Sequence, residues 1–192
     1  KKEIITMKCK NYINNEWVNG LDGNKFDVEN PFTEEIIAQV PRSSDKDVDM
    51  AVKAAKSAWK DWKMLGSLDM RDLMREVAVK SRSHDYEIAK IIATESGKPL
   101  IECLDEIEWI ASIFEYYSEI GRDQRGRVVA PVTPRSMSMV VKEAYGVVGC
   151  IVPWNYPLLL MAWKVAPALA AGNTVVVKPS EITPLSIMIW LE

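Results

Sequence analysis

The chain has 192 residues, enough for one domain with a buried core; a chain of that size hides roughly 70% of its unfolded surface. Hydrophobic residues make up 48% and charged residues 27%, an ordinary globular composition that excludes a disordered chain. A net charge of -3 and a pI near 5.4 speak against a phosphate-backbone partner, so no nucleic acid is expected.

Turn signals crowd the first 42 residues: Asn14-Asn15, Asn19-Gly20, Asp22-Gly23 and Asn30-Pro31. Residues 11–18 and 26–30 read as the two strands of a hairpin, and 36–40 as a further strand. Together they suggest an arm or edge ribbon outside the core. From Ser44 the period becomes helical, opened by a capping-box-like Ser44 and Asp47. Val48, Ala51, Val52, Ala55, Trp59 and Trp62 then share one face until Gly66. Met70, Leu73, Met74 and Val77 mark a second helix; Ile88, Ile91 and Ile92 mark a third that stops at Gly97. A fourth carries Leu100, Cys103, Leu104, Ile107, Ala111, Phe114 and Tyr117 and ends near Gly121. Glu102, Glu106, Glu108, Glu115 and Glu119 on its other side read as a solvated acidic face.

After Gly126 the pattern turns to strand. Residues 136–144 alternate loosely, and 146–152 form a continuous apolar run that suits a strand buried on both faces. Pro157 suits the first position of a helix to about Ala171, stopped by Gly172 and kinked or reset at Pro167. Residues 173–178 form a second buried-type strand, and Thr183-Pro184 opens another helix. Strand, helix, strand, helix is a βαβ unit with a parallel pair. The fold class is therefore α/β: a Rossmann-like parallel unit preceded by a β-arm and a helical layer.

Other classes lose ground residue by residue. No apolar run approaches the roughly 18 residues of a membrane span, so no membrane is expected. Residues 1–10 lack the apolar core of a signal peptide. Cys9, Cys103 and Cys150 are odd in number, far apart and form no CxxC pair, which reads as a reducing cytoplasm. Cys9 falls on a mobile end, Cys103 on an apolar helix face and Cys150 inside a strand, and none has an evident activating partner. The single histidine, His84, falls near a helix start and leaves no metal cluster.

In an open parallel sheet, ligands bind beyond the carboxyl ends of the strands. One loop there is Pro153-Trp154-Asn155-Tyr156-Pro157; the other is Lys178-Pro179-Ser180-Glu181. A carboxamide such as Asn155 suits a developing oxyanion. A lysine that donates and a glutamate that accepts suit a ribose, and Glu181 would repel a 2′-phosphate, favouring NAD over NADP. No GxGxxG follows the first strand. On spacing alone the plainer reading of Lys178 and Glu181 is a turn carrying a surface ion pair.

Those two loops carry a resemblance. Pro153 to Pro157, the segment from Trp163 to Asn173, and Lys178 to Glu181 strongly resemble motifs of the NAD(P)-dependent aldehyde dehydrogenase superfamily. Upstream, Asn30-Pro31, Glu95-Ser96-Gly97-Lys98-Pro99 and residues 136–145 match as well, so the resemblance covers nearly the whole chain. The wording is most similar to the betaine-aldehyde and amino-aldehyde branch.

The resemblance implies the N-terminal part of the family's fold, with an incomplete NAD-binding domain in residues 1–125 and 145–192 and part of an oligomerisation domain in 126–144. It implies NAD-dependent oxidation of a small-molecule aldehyde to a carboxylate, in a homodimer or homotetramer. Asn155 matches an oxyanion donor and Lys164 a charge-relay lysine of the betaine-aldehyde branch. Ile151, Val152, Pro153, Trp154, Lys178, Ser180 and Glu181 match cofactor-cleft and ribose positions. Tyr156 and Leu160 match the substrate tunnel, where Tyr156 either meets a quaternary ammonium or simply packs. Some relatives hold a structural monovalent cation near the position of Glu95. The family's nucleophilic cysteine, general-base glutamate and glycine-rich turn lie later in a family chain. The expectation is thus an N-terminal half, inactive alone, with residues 185–190 exposed for want of a core; the other reading is a non-catalytic nucleotide-binding or oligomerising protein.

Overall fold

The computed structural model describes residues 9–123 and 125–192; residues 1–8, over which no signal peptide was expected, lie outside them. β1 (Asn11–Ile13) and β2 (Glu16–Val18) pair antiparallel across Asn14-Asn15, whose φ angles are 54° and 61°. Positive φ at both central positions matches the twist of a two-residue hairpin, and asparagine tolerates it. Residues 11–18 are therefore a complete hairpin, not one strand of a larger one. β3 (Lys25–Glu29) pairs instead with β4 (Ile36–Pro41). Asn30 shapes that turn, its Oδ1 accepting from Phe32 N at 2.9 Å and Thr33 N at 3.3 Å.

This ribbon, expected as an arm or edge ribbon outside the core, contributes to a core of its own. Val28 and Val40 are buried in a small core with Leu185 and Met188, and Cys9 packs against it. Cys9 is thus half-buried rather than on a free end, and burial raises its thiol pKa.

α1 (Asp45–Trp62) begins at the expected capping box: Asp47 Oδ2 accepts from Ser44 N at 2.8 Å. Asp47 also accepts from Leu21 N at 3.1 Å, which ties the ribbon to the helix. Its expected apolar face is only partly used, since Val48 and Val52 are exposed. The indole N–H groups do the anchoring: Trp59 Nε1 donates to Gly172 O at 3.0 Å and Trp62 Nε1 to Leu169 O at 3.2 Å.

α2 (Ser67–Ser83), α3 (Asp85–Ser96) and α4 (Leu100–Ile120) form the helical layer, with the exposed His84 between the first two. Met74, Ala78, Ile88, Ile92, Cys103, Ile107, Ile110, Ala111 and Phe114 are all buried in the main core. Arg82 clamps α2 to α4 through Glu108, at 2.7 Å, and Glu115. Of the five glutamates read as a solvated face, Glu102, Glu108, Glu115 and Glu119 do reach solvent, Glu108 and Glu115 while held by the Arg82 fork; Glu106 is the exception and is wholly buried.

Gly97 closes α3 at φ 73°, and a Cβ built there would meet Pro31 Cγ at 3.1 Å. Gly97→Ala combines left-handed strain with that contact and is expected to cost about 1–3 kcal/mol of stability in a urea melt. An unchanged midpoint and slope would mean that the cap relaxes freely.

A 3₁₀ turn (Gly121–Asp123) follows, then an exposed antiparallel ribbon of β5 (Arg127–Val129) and β6 (Ser138–Val140). The strand in the segment expected at 136–144 is thus only three residues long. β7 (Val147–Ile151) and β8 (Thr174–Lys178) are parallel, joined by α5 (Pro157–Ala170), and α6 (Leu185–Leu191) follows. Val148 and Cys150 pair in register with Val175 and Val177, and these four pack against the main core. Thr174 on the other face donates to Ala55 O at 2.9 Å, placing α1 there.

Neither strand is buried on both faces throughout. Ile151 is 80% exposed, because a two-stranded sheet makes every strand an edge. α5 runs through Pro167 without a break. Buried Asn173 fastens its end, accepting from Gly146 N at 3.0 Å and donating to Ala168 O at 3.1 Å. α6 finds a core after all: Leu185, Ile187 and Met188 are buried, and Trp190 tilts against Phe114 at 5.8 Å while donating to Ser81 Oγ. Its cover comes from α3 and the N-terminal ribbon, both remote in sequence.

Candidate functional site

Because β7 and β8 are parallel, residues 152–156 and 179–184 leave the same sheet edge. The two loops are bonded to each other. Val152 N donates to Lys178 O at 3.0 Å, and the buried Thr183 hydroxyl donates to Trp154 O at 3.2 Å. The expected residues thus fall into one constellation, with Lys164 and Leu160 further along α5.

On the first loop Pro153, Trp154 and Asn155 are exposed, and Tyr156 is half-buried in the left-handed region at φ 49°. Among the described residues the Asn155 carboxamide has no hydrogen-bond partner, so both of its N–H donors are available to a ligand. On the second loop Lys178 Nζ lies 2.6 Å from Glu181 Oε1, and both side chains are more than half exposed. The Lys178 hydrogen bond holds the Glu181 carboxyl below the usual carboxylate range. Ser180 is buried, and its Oγ accepts from Ile182 N at 3.2 Å, a local turn that shapes the loop. Lys164 is solvent-exposed, and its charge lowers the pKa of the buried Cys150 against the larger upward push of burial. Leu160 is half-buried on α5.

Two glutamates lie beneath this edge in roles the sequence did not suggest: Glu106, expected on a solvated face, and Glu95, expected in a matching turn near a cation position. Glu106 of α4 accepts from Leu158 N at 3.0 Å and Leu159 N at 3.1 Å, the first-turn donors of α5. Its other oxygen takes the Lys98 ammonium at 2.6 Å. Glu95 of α3 does the same for α6, accepting from Leu185 N at 2.7 Å and Ser186 N at 2.8 Å. Each carboxylate satisfies orphan donors at a helix start and sits at the positive end of its dipole. Both helix starts that follow the parallel strands are therefore filled from within and closed to an external anion. A signal for them does exist: Glu106 lies three residues after Cys103 and four before Ile110, and Glu95 three after Ile92, on apolar helical faces. A carboxylate on an apolar stripe is a buried partner, not a solvated face.

Lys98 Nζ also lies 3.8 Å from the Tyr156 ring centroid, a cation–π contact. Trp109, off the apolar stripe of α4, sits 6.2 Å from the same ring, ring centre to ring centre, and is 46% exposed. None of the three thiols is activated: burial pushes Cys103 up to about 11 and raises Cys9 and Cys150. Among the described residues no group of three or more His, Cys, Asp or Glu side chains converges as a metal site, and no helix is long and apolar enough to cross a membrane.

The fold is thus α/β, with a two-stranded parallel unit that carries an unpaired carboxamide on one loop and a lysine–glutamate pair on the next. The chain belongs to the aldehyde dehydrogenase family, which it matches over residues 17–192. It is 38% identical over 177 residues to the betaine aldehyde dehydrogenase of Bacillus subtilis, covering 91% of this chain and 36% of that protein. It is 38% identical over 188 residues to aminoaldehyde dehydrogenase 2 of Solanum lycopersicum, covering 95% and 37%. The structure superposes on betaine aldehyde dehydrogenase from Staphylococcus aureus in complex with NAD+ with a TM-score of 0.92 at 34% identity, covering 97% of this chain and 38% of that one. The chain thus spans a little over a third of the length of these relatives and has the N-terminal part of the aldehyde dehydrogenase fold.

Proposed function

We propose that the chain is the N-terminal part of an NAD-dependent aldehyde dehydrogenase that oxidises betaine aldehyde or an amino-aldehyde to its carboxylate. The observation that carries this reading is the bonded pair of loops, which sets the Asn155 donors and the Lys178–Glu181 pair on one edge. Asn155 donates to the oxyanion that develops when the aldehyde carbonyl is attacked, in the role typical of a preorganised amide. Lys178 and Glu181 fit a ribose, since the ammonium donates, the carboxylate accepts and both are exposed. NAD, when bound, supplies the hydride acceptor. Ile151, Pro153 and Trp154, all exposed, then line its cleft over the buried Val152, Ser180 shapes the ribose loop, and Lys164 relays charge.

Tyr156 and Leu160 face the substrate in this reading. Lys98 already covers one face of Tyr156, so the exposed indole of Trp109 is the stronger partner for a cationic aldehyde. Residues 1–125 and 145–192 are the cofactor-binding domain, and the exposed ribbon within 126–144 serves assembly into a homodimer or homotetramer in the cytoplasm.

The test is NAD reduction by the full-length enzyme over a panel of aldehydes. Turnover on betaine aldehyde or an amino-aldehyde supports the reading, and no reduction with any aldehyde sinks it. The 192-residue chain by itself is expected to reduce no NAD, because Cys103 and Cys150 are buried, Cys9 is half-buried, and burial raises the pKa of all three thiols. Glu181→Gln is expected to shift the NADP-to-NAD ratio of kcat/KM upward by about tenfold, or ~1.4 kcal/mol, by removing a repelling carboxylate. An unchanged ratio would place Glu181 away from the ribose.

A further inference from the structure

We propose that Lys98 and Glu106 are positioning residues that hold the Asn155 loop in its reactive shape. The inference rests on the reading of Asn155 as the oxyanion donor. Asn155 itself is held by nothing among the described residues, yet its neighbours are fixed on both sides. Before it, Trp154 O accepts from Thr183. After it, Tyr156 adopts φ 49° and ψ 54°, a conformation that costs a non-glycine residue about 1–2 kcal/mol. Pro157 follows and disfavours the right-handed helical alternative for Tyr156. A strained residue keeps such a conformation only where its surroundings enforce it.

Glu106 and Lys98 supply that enforcement. The Glu106 carboxylate, 0% exposed, binds the Leu158 and Leu159 N–H groups and so bolts the start of α5 to α4. Its remaining oxygen fixes the Lys98 ammonium, which in turn holds the Tyr156 ring. One lysine thus joins a buried anion to an aromatic face, and the residue between that face and the tethered Trp154 carbonyl is Asn155. A shift of about 1 Å in a positioned group costs turnover on the order of 10²-fold.

The test uses the full-length enzyme with Lys98→Met, Asn155→Ala, the double variant and Lys98→Arg. Lys98→Met is expected to lower kcat by about 10²-fold with the KM for NAD unchanged. Lys98→Arg keeps both the ion pair and the cation–π contact and is expected to restore most of that loss. In the Asn155→Ala background Lys98→Met is expected to add little, because both act through one donor. Full kcat in Lys98→Met, or losses that multiply in the double variant, would overturn the proposal while leaving Asn155 in place. Full kcat in Asn155→Ala would instead remove the oxyanion reading itself and the proposal with it. Should Lys98→Met fail to fold, Glu106→Gln, which keeps a carbonyl toward α5 but loses the charge holding Lys98, carries the same comparison.

Discussion

Asn155→Ala in the full-length enzyme is expected to lower kcat by about 10²–10³, the usual cost of one oxyanion donor. The structure makes this a clean substitution. The carboxamide is exposed and takes no partner among the described residues, so its removal leaves no buried group unsatisfied and creates no cavity. Stability is therefore expected to stay within about 0.5 kcal/mol of the parent. Cofactor affinity is expected to hold as well, since Lys178 and Glu181 lie on the other loop and the Trp154 carbonyl stays tied to Thr183. Steady-state kinetics with NAD as the varied substrate separate the outcomes: a fall in kcat at constant KM supports the role. A rise in KM at constant kcat would make Asn155 a cofactor contact.

The second large effect is on stability against pH. Burial pushes the Glu95 carboxyl up to about 7 from an ordinary 4.5, against the downward pull of Ser186 and the Leu185 N–H. In the unfolded chain it ionises near the ordinary value. Between these values the folded state binds the extra proton, so stability falls as pH rises from about 4.5 and levels off above about 7. At ~1.4 kcal/mol per pKa unit the loss is about 3 kcal/mol. Urea melts of the parent and Glu95→Gln at several pH values across this range check it. The glutamine variant is expected to lack this part of the slope; the same slope in both would assign the pH dependence elsewhere.

Much of the helical layer was legible because its ends carry local chemistry. Ser44 with Asp47, Gly97, Pro157 and Gly172 each act on backbone within a few residues, and each marks the boundary expected. The parallel pair was legible from two apolar runs of the right length. Pairings were harder: whether residues 11–18 form one strand or two depends on Asn14 and Asn15 both reaching positive φ. Long-range burial was hardest. The cover for Leu185 and Met188 comes from Val28 and Val40, and periodicity in the last helix carries no information about a distant ribbon. At the site, the two loops followed from strand direction alone. Glu95, Glu106, Lys98 and Trp109 did not, because each acts across a gap in sequence that a reading of local faces treats as solvent.

The long reach of the two internal carboxylates sets an order of assembly. The bonds from the start of α5 to Glu106 close a separation of 52 residues, and those from α6 to Glu95 one of 90. During synthesis α3 and α4 leave the ribosome first, with two acidic side chains waiting on apolar surfaces. The β7–α5–β8–α6 unit that follows satisfies its helix starts only by docking onto them, and contacts so distant in sequence are expected to slow its folding. Excised without residues 85–120, that unit would carry two uncapped helix starts and lose the partners that hold its loops. A piece expected to keep both loops in place therefore includes α3 and α4.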